Sequence, residues 1–318
     1  MMNESTVLNE EQLSHGSLTG EVPFWDHPFV KGYMKRPTNY QFFTTVEQSL
    51  ALYKRQRIDD KDIMLLKVLG DAICANEDQL RRYLSSQMSR SEVSKRLDKF
   101  RQLSLADRWH VRLKDDEHED IKPPAPYTLG IAGNKLLKYF YPEEFYLDPN
   151  QWDKLGVYGI QRYVAVNELR CSLMESRVVK EWKFKAEIKG FSRAKRPFAV
   201  ANVHSPKGLL TFIVERIHRG QDFLSYLKER LNEWKVLFEK TNQLRFYEME
   251  EGVPIVVLNV STYSLAEHLQ YELLLDTFPF TIWLCVDEFM PEGIERSFVI
   301  PRSDGLHRTA LNFLKKND

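Results

Sequence analysis

The sequence predicts a two-domain chain of mixed class, α+β in its N-terminal part and α/β in its C-terminal part. Two observations carry this. Between Asp59 and Leu129 short runs with helical spacing give way to alternating segments around a charged turn, and beyond Gln161 helical runs alternate with continuous apolar stretches. With 318 residues, 43% of them hydrophobic, the chain has material for more than one core.

Residues 1–40 read as a polar tail or strap. Its aromatics Phe24, Trp25, Phe29 and Tyr33 either pack back onto their own domain or dock into a partner's groove. Residues 41–141 form the first domain. A helix from Gln41 to Tyr53 carries Phe42, Val46, Leu50 and Tyr53 on one face; the next carries Ile63, Leu66, Leu69 and Ile73; a third follows the N-cap Asn76. Ser89 and Glu92 have capping-box spacing and open a fourth, with Val93, Leu97 and Phe100 facing inward. Leu105–Leu113 alternates as a strand, 115–126 is a charged turn, and Tyr127–Ile131 returns as its partner. From Asp59 onward this is the order of a winged helix-turn-helix.

Residues 142–158, rich in Pro, Asp, Gly and aromatics, read as a linker, and 159–318 as an α/β domain. There a helix covers Gln161–Ser176, strands cover Trp182–Ile188, Phe198–Val203 and Leu209–Val214, and a long helix covers Phe223–Lys240. Two buried runs follow, Pro254–Val260 and Phe280–Val286, with a helix from Ser264 to Leu275 between them.

Forty-five Lys and Arg balance forty-five Asp and Glu, so any cationic surface must be local. One candidate is the fourth helix. Its apolar face leaves Arg90, Ser94, Lys95, Arg96, Lys99 and Arg101 for phosphates or base edges, in a region where bases outnumber acids. Arg90, Ser91, Ser94 and Lys95 are the expected base-reading residues; Arg81, Arg82, Lys99, Arg108 and Arg112 are the expected phosphate anchors of double-stranded DNA. Arg108, His110 and Arg112 share one face of the wing strand.

A sheet with flanking helices can also hold a divalent cation for hydrolysis. Such a site needs an acid on one strand and an acid-x-Lys on the next. The hairpin instead offers Phe198 after Arg196-Pro197, and Glu215-Arg216-Ile217, so both groups are missing there. Weaker catalytic candidates remain: Glu187-Ile188-Lys189 with Glu168 from the preceding helix, and Glu215 alone. His204 and His218 flank the hairpin without metal-ligand spacing. Cys74, Cys171 and Cys285 lack CxxC spacing, which predicts packed thiols in a reducing compartment. No phosphate loop, nucleophile elbow or HExxH helix is present, so no metal and no cofactor are expected. The absence of a long apolar run and the polar start predict a cytoplasmic protein with no membrane partner.

The combination resembles the replication-relaxation family of plasmids and mobile elements of Gram-positive bacteria. The resemblance rests on Tyr127-Thr128-Leu129 followed by Gly133-Asn134-Lys135-Leu136-Leu137, on Val164-Ala165-Val166-Asn167-Glu168-Leu169, on Arg196-Pro197, and on Phe212-Ile213-Val214-Glu215 before the helix of Leu227, Leu231 and Trp234. It spans residues 59–260 with short motifs. It implies DNA binding in plasmid replication or mobilisation, and a C-terminal domain similar to restriction-endonuclease-like folds. Phe198 and Arg216-Ile217 depart from the family's pattern, which implies that cleavage is lost. The sequence therefore predicts a non-enzymatic, sequence-preferring DNA-binding protein, able to dimerise through the Phe223–Lys240 helix and to meet a replication or mobilisation protein. Two other readings stand beside it: a metal-dependent nuclease using Glu168, Glu187 and Lys189, and an adaptor whose winged helix meets protein.

Overall fold

The computed structural model describes residues 23–113, 123–191, 194–218 and 222–316. They fall into two compact units of mixed α and β structure, one built on Phe29–Cys171 and the other on Ser172–Asp318 together with the segment up to Pro28. The residues before 23 and most of the expected turn at 115–126 lie outside the described residues.

In the first unit, capping side chains set the helix starts. Thr45 caps α1 (Val46–Lys54), Asp59 caps α2 (Asp60–Ala72), Asn76 caps α3 (Glu77–Tyr83) and Ser89 caps α4 (Arg90–Gln102). Each side chain accepts from a backbone N–H three residues on, which satisfies a donor that the helix itself leaves open. The sheet is β1 (Val30–Met34), β2 (Cys74–Asn76), β3 (Ala106–Leu113) and β4 (Pro126–Leu129), in the order β1-β3-β4-β2. β3 runs antiparallel to both β1 and β4, and β4 to β2. Leu65, Leu66, Leu69, Leu80, Val93, Leu97 and Phe100 fill the core with Leu136 and Leu137 of α5 (Ile131–Phe140). At Gly133 that helix presses on the strand entry: a Cβ there would stand 2.1 Å from the Leu105 carbonyl oxygen, so no larger residue fits.

Two expected boundaries move. Val30–Met34, read as part of a tail, is a strand, because Val30 and Gly32 turn inward while Lys31 and Tyr33 turn out. The stretch 142–158, read as a linker, is packed: Tyr146, Leu147 and Trp152 are buried, and Asn134 Nδ2 donates to the Leu147 carbonyl at 3.0 Å. Trp152 begins α6 (Trp152–Glu175), which is broken at Gly156, where φ is 54°. That helix belongs to the first unit as far as Cys171. Asn167 Nδ2 donates to the carbonyls of Ala72 and Cys74 at 2.9 Å each, and Tyr83 Oη donates to its Oδ1 at 2.7 Å. These bonds fix the division at 171/172 rather than at 158.

The second unit holds one sheet in the order β11-β10-β9-β8-β7-β6-β5. β5 (Val179–Phe184), β6 (Ala199–Ser205) and β7 (Gly208–Arg216) form an antiparallel meander. Helix α7 (Phe223–Thr241) then crosses to β8 (Val253–Val260), parallel to β7, and α8 (Tyr263–Leu273) crosses to β9 (Thr281–Val286), parallel to β8. β10 (Phe298–Arg302) and β11 (Gly305–Thr309), which lack a clear signal in the sequence, complete it antiparallel. Leu227, Leu231 and Trp234 of α7 and Leu265 and Leu269 of α8 pack with Val200, Ile213, Val256 and Leu284. Parallel strands joined by helices are covered, which is why β8 and β9 read as unbroken apolar runs.

Candidate nucleic-acid interface

Helix α4 presents its charged face as expected, but most of that charge is already matched. Arg96 donates to Asp59 at 2.6 Å, to the buried Asp62 at 2.7 Å and to Glu92 at 3.1 Å. Lys99 also pairs with Asp62. Burial would raise the Asp59 carboxyl, yet the Arg96 guanidinium and the Asp62 N–H outweigh it and hold that group at about 2. Nearer the start of the helix, Arg81 of α3 bonds Glu77 at 2.5 Å and Asp78 at 3.0 Å, and donates to Ser94 Oγ at 2.6 Å. Ser94 in turn donates to Glu77 at 2.6 Å, and Arg90 reaches Asp78 at 2.8 Å. Arg82 is held by Glu168, which Gln79 also meets at 3.1 Å.

These contacts correct the expected roles. Arg81, Ser94, Arg82 and Lys99 brace the helices against one another, because acids from α2, α3 and α6 that a local charge count omits lie against them. Arg90 keeps 70% of its side chain exposed despite its ion pair. Ser91 is exposed beside Ser89 Oγ at 3.3 Å, and among the described residues Lys95 is an exposed cation with no acidic partner.

The strand face is different. Trp109 and Val111 of β3 are buried, so Arg108, His110 and Arg112 lie on the outer side, and among the described residues neither arginine meets an acid. β1 adds to this face what the sequence reading missed. In register, Lys31 stands opposite Arg112 and Tyr33 opposite His110, and the alternation of Lys31 and Tyr33 with Val30 and Gly32 was the available signal. The Tyr33 and His110 rings stack, with centroids 5.4 Å apart and planes at 16°. Burial, then the charges of Arg108, Arg101 and Lys35, hold the His110 imidazole below its ordinary value, as expected of a site surrounded by cations.

In the second unit the expected nuclease position is filled. Glu215 is buried, accepts from the Phe198 N–H at 2.9 Å and faces Arg230 Nε at 3.3 Å. Arg230 also donates to the Arg196 carbonyl at 2.6 and 2.8 Å, and Ile217 is buried in the core. A guanidinium therefore stands at the carboxylate where a cation would bind. Arg230 went unnoticed in the sequence because it lies on a different element, helix α7, where strand spacing says nothing of its reach. Glu187 pairs with Arg196 and Lys189 is exposed; both follow the positive φ of Lys185 and lie beyond β5, not on the strand the sequence predicts. Glu168 belongs to the first unit and is held by Arg82. His204 and His218 sit at opposite ends of the β6–β7 hairpin, so they form no pair. Among the described residues no group of three or more His, Cys, Asp or Glu side chains is arranged to hold a metal ion. All three cysteines are buried, and burial pushes Cys171 up to about 12. Among the described residues no helix is long and apolar enough to cross a membrane. No family model, no curated protein and no solved structure matches this chain.

Proposed function

We propose that the chain is a non-catalytic, sequence-preferring DNA-binding protein of the replication-relaxation kind, acting in replication control, mobilisation or transcription on a plasmid or related element. One observation carries this reading: among the described residues the outer face of β3 holds Arg108, His110 and Arg112 without acidic partners, whereas Arg81, Arg82, Arg96 and Lys99 are paired. Cations left unmatched on a strand beside a capped helix suit phosphate contact. Lys95, Ser91 and Arg90 at the exposed start of α4 would then read base edges. The order α2-β2-α3-α4-β3-β4 supports a winged helix-turn-helix, with β3 as the wing strand. The order β5-β6-β7-α7-β8 supports a restriction-endonuclease-like second unit, and the Glu215–Arg230 pair supports its loss of cleavage.

The test is retention of duplex fragments from the chain's own genetic neighbourhood by the purified protein, at two salt concentrations with Mg²⁺ present and the products run on a denaturing gel. Salt-sensitive, sequence-preferring retention of intact strands is the expected result. Absence of retention at either salt defeats the reading, and cut strands return the second unit to catalysis.

A further inference from the structure

The strand β1 gives the cationic face something that phosphate binding alone does not use. Among the described residues it lies at the edge of its sheet, with β3 on one side and no strand on the other. Tyr33 is 51% exposed there and lies flat against His110. On the same face Lys31 and Arg112 stand on one side of the ring pair and Arg108 on the other, and the charge of Lys35, just past the end of β1, acts on His110 as well. Residues two apart on a strand are about 7 Å apart along it, so backbone-binding cations flank an aromatic ring within one nucleotide's reach.

The rings of duplex bases are covered by their neighbours, and a protein ring reaches them only where a base is unstacked. A single strand offers both a phosphate track and free base faces, and proteins that hold single strands combine a positive groove with exposed aromatic rings. Lys31, Tyr33 and Lys35 with Arg108, His110 and Arg112 have that combination. We infer that the β1–β3 face is a site for an unpaired nucleotide at the end of a duplex, with its base stacked on the Tyr33–His110 pair and its phosphates held by the flanking Lys and Arg side chains. The inference rests on the DNA-binding reading and narrows its ligand to DNA with a duplex-to-single-strand junction.

Full-length protein is titrated with a blunt duplex, the same duplex carrying a single-stranded extension, and the extension strand alone. The extended duplex is expected to bind about tenfold more tightly than the blunt one. Tyr33→Ala is expected to abolish that preference while leaving blunt-duplex affinity within about twofold, and Tyr33→Phe to retain it. A 2-aminopurine at the first unpaired position supplies a second readout: its fluorescence is quenched by the native protein and by Tyr33→Phe, and not by Tyr33→Ala. Equal affinity for blunt and extended duplexes, or equal loss on both from Tyr33→Ala, overturns the junction site and leaves duplex binding standing. Loss of all retention, including that of the blunt duplex by the native protein, defeats the DNA-binding reading itself.

Discussion

Helix α4 and strand β3 are both rich in basic residues, yet the fold treats their charges in opposite ways. On α4, Arg96 and Lys99 converge on Asp62, a side chain with no exposure, and Arg96 also holds Asp59 and Glu92. On β3, Arg108 and Arg112 face outward with no acidic partner among the described residues. Arg96 and Lys99 of the helix hold α2 and α4 together, whereas the arginines of the strand meet no acid among the described residues. A basic stretch in a sequence is thus no measure of basic surface, because the acids that cancel it arrive from elsewhere in the chain.

The largest expected effect tests the structural side of this comparison. Arg96→Ala strips the buried Asp62 of one of its two cations, and breaking a buried pair from one side costs about 3–5 kcal/mol. Lys99 remains, so about 2–3 kcal/mol is expected, read as faster amide exchange in α2 and α4. Unchanged exchange would mean that the pair is a solvated surface contact and that Arg96 is available to DNA after all.

The binding side is tested by the paired change of Arg108 and Arg112 to alanine. Each phosphate contact contributes about 0.9 to the slope of log affinity against log salt, so the double variant should flatten that slope by about 1.8 and weaken every duplex about tenfold or more. Arg82→Ala is the matched control. Its side chain is committed to Glu168, and it should leave the slope unchanged. Equal effects from the two variants would erase the distinction between braced and free arginines.

A smaller effect sits on the strand itself. Asp107 is the one acid in β3, and burial pushes it up to about 6 although the Arg36 charge acts to lower it. A carboxyl raised in the fold favours folding below its unfolded value near 3.8 and loses that contribution as pH rises through about 6. Asp107→Asn should therefore stabilise the first unit by about 1–2 kcal/mol at pH 7.5 and make no difference near pH 3. Urea unfolding at the two pH values reads it, and an equal change at both would show that the carboxyl is not strained by burial.

Much of the first unit was legible in the sequence because its signals are local. Asn76 and Ser89 announce their helices, Val93, Leu97 and Phe100 mark an inward face, and the outward alternation of Arg108, His110 and Arg112 holds in the structure. What failed to show was nonlocal. Asp62 and Glu168 neutralise cations roughly 30 to 90 residues away along the chain, Arg230 reaches Glu215 from another element, and β1 pairs with a strand that begins after four intervening helices. Spacing rules see neighbours on one helix or strand, so they found the elements and the outward face of β3 but not the partners that decide which charges are matched.

The smallest effect is also the one that most sharply separates a phosphate-facing surface from an idle one. His110 is surrounded by Arg108 on its own strand, Arg101 on α4, Lys35 beyond β1 and the ring of Tyr33, and burial with these cations keeps its imidazole below the ordinary value and so neutral near pH 7.5. In the free protein a depressed imidazole contributes stability above its unfolded value near 6.5, and loses it as pH falls through the folded one. Phosphates placed on this face would offset the surrounding cations and favour the imidazolium, so DNA binding should take up a proton. Affinity for a fixed duplex is then expected to rise about threefold between pH 7.5 and pH 5.5, while the free fold weakens slightly over the same range. The chain has eight histidines, so the dependence is assigned by His110→Gln, which should flatten it without altering the salt slope at pH 7.5. A native affinity indifferent to pH, or a dependence that survives in His110→Gln, would place the bound phosphates away from β3.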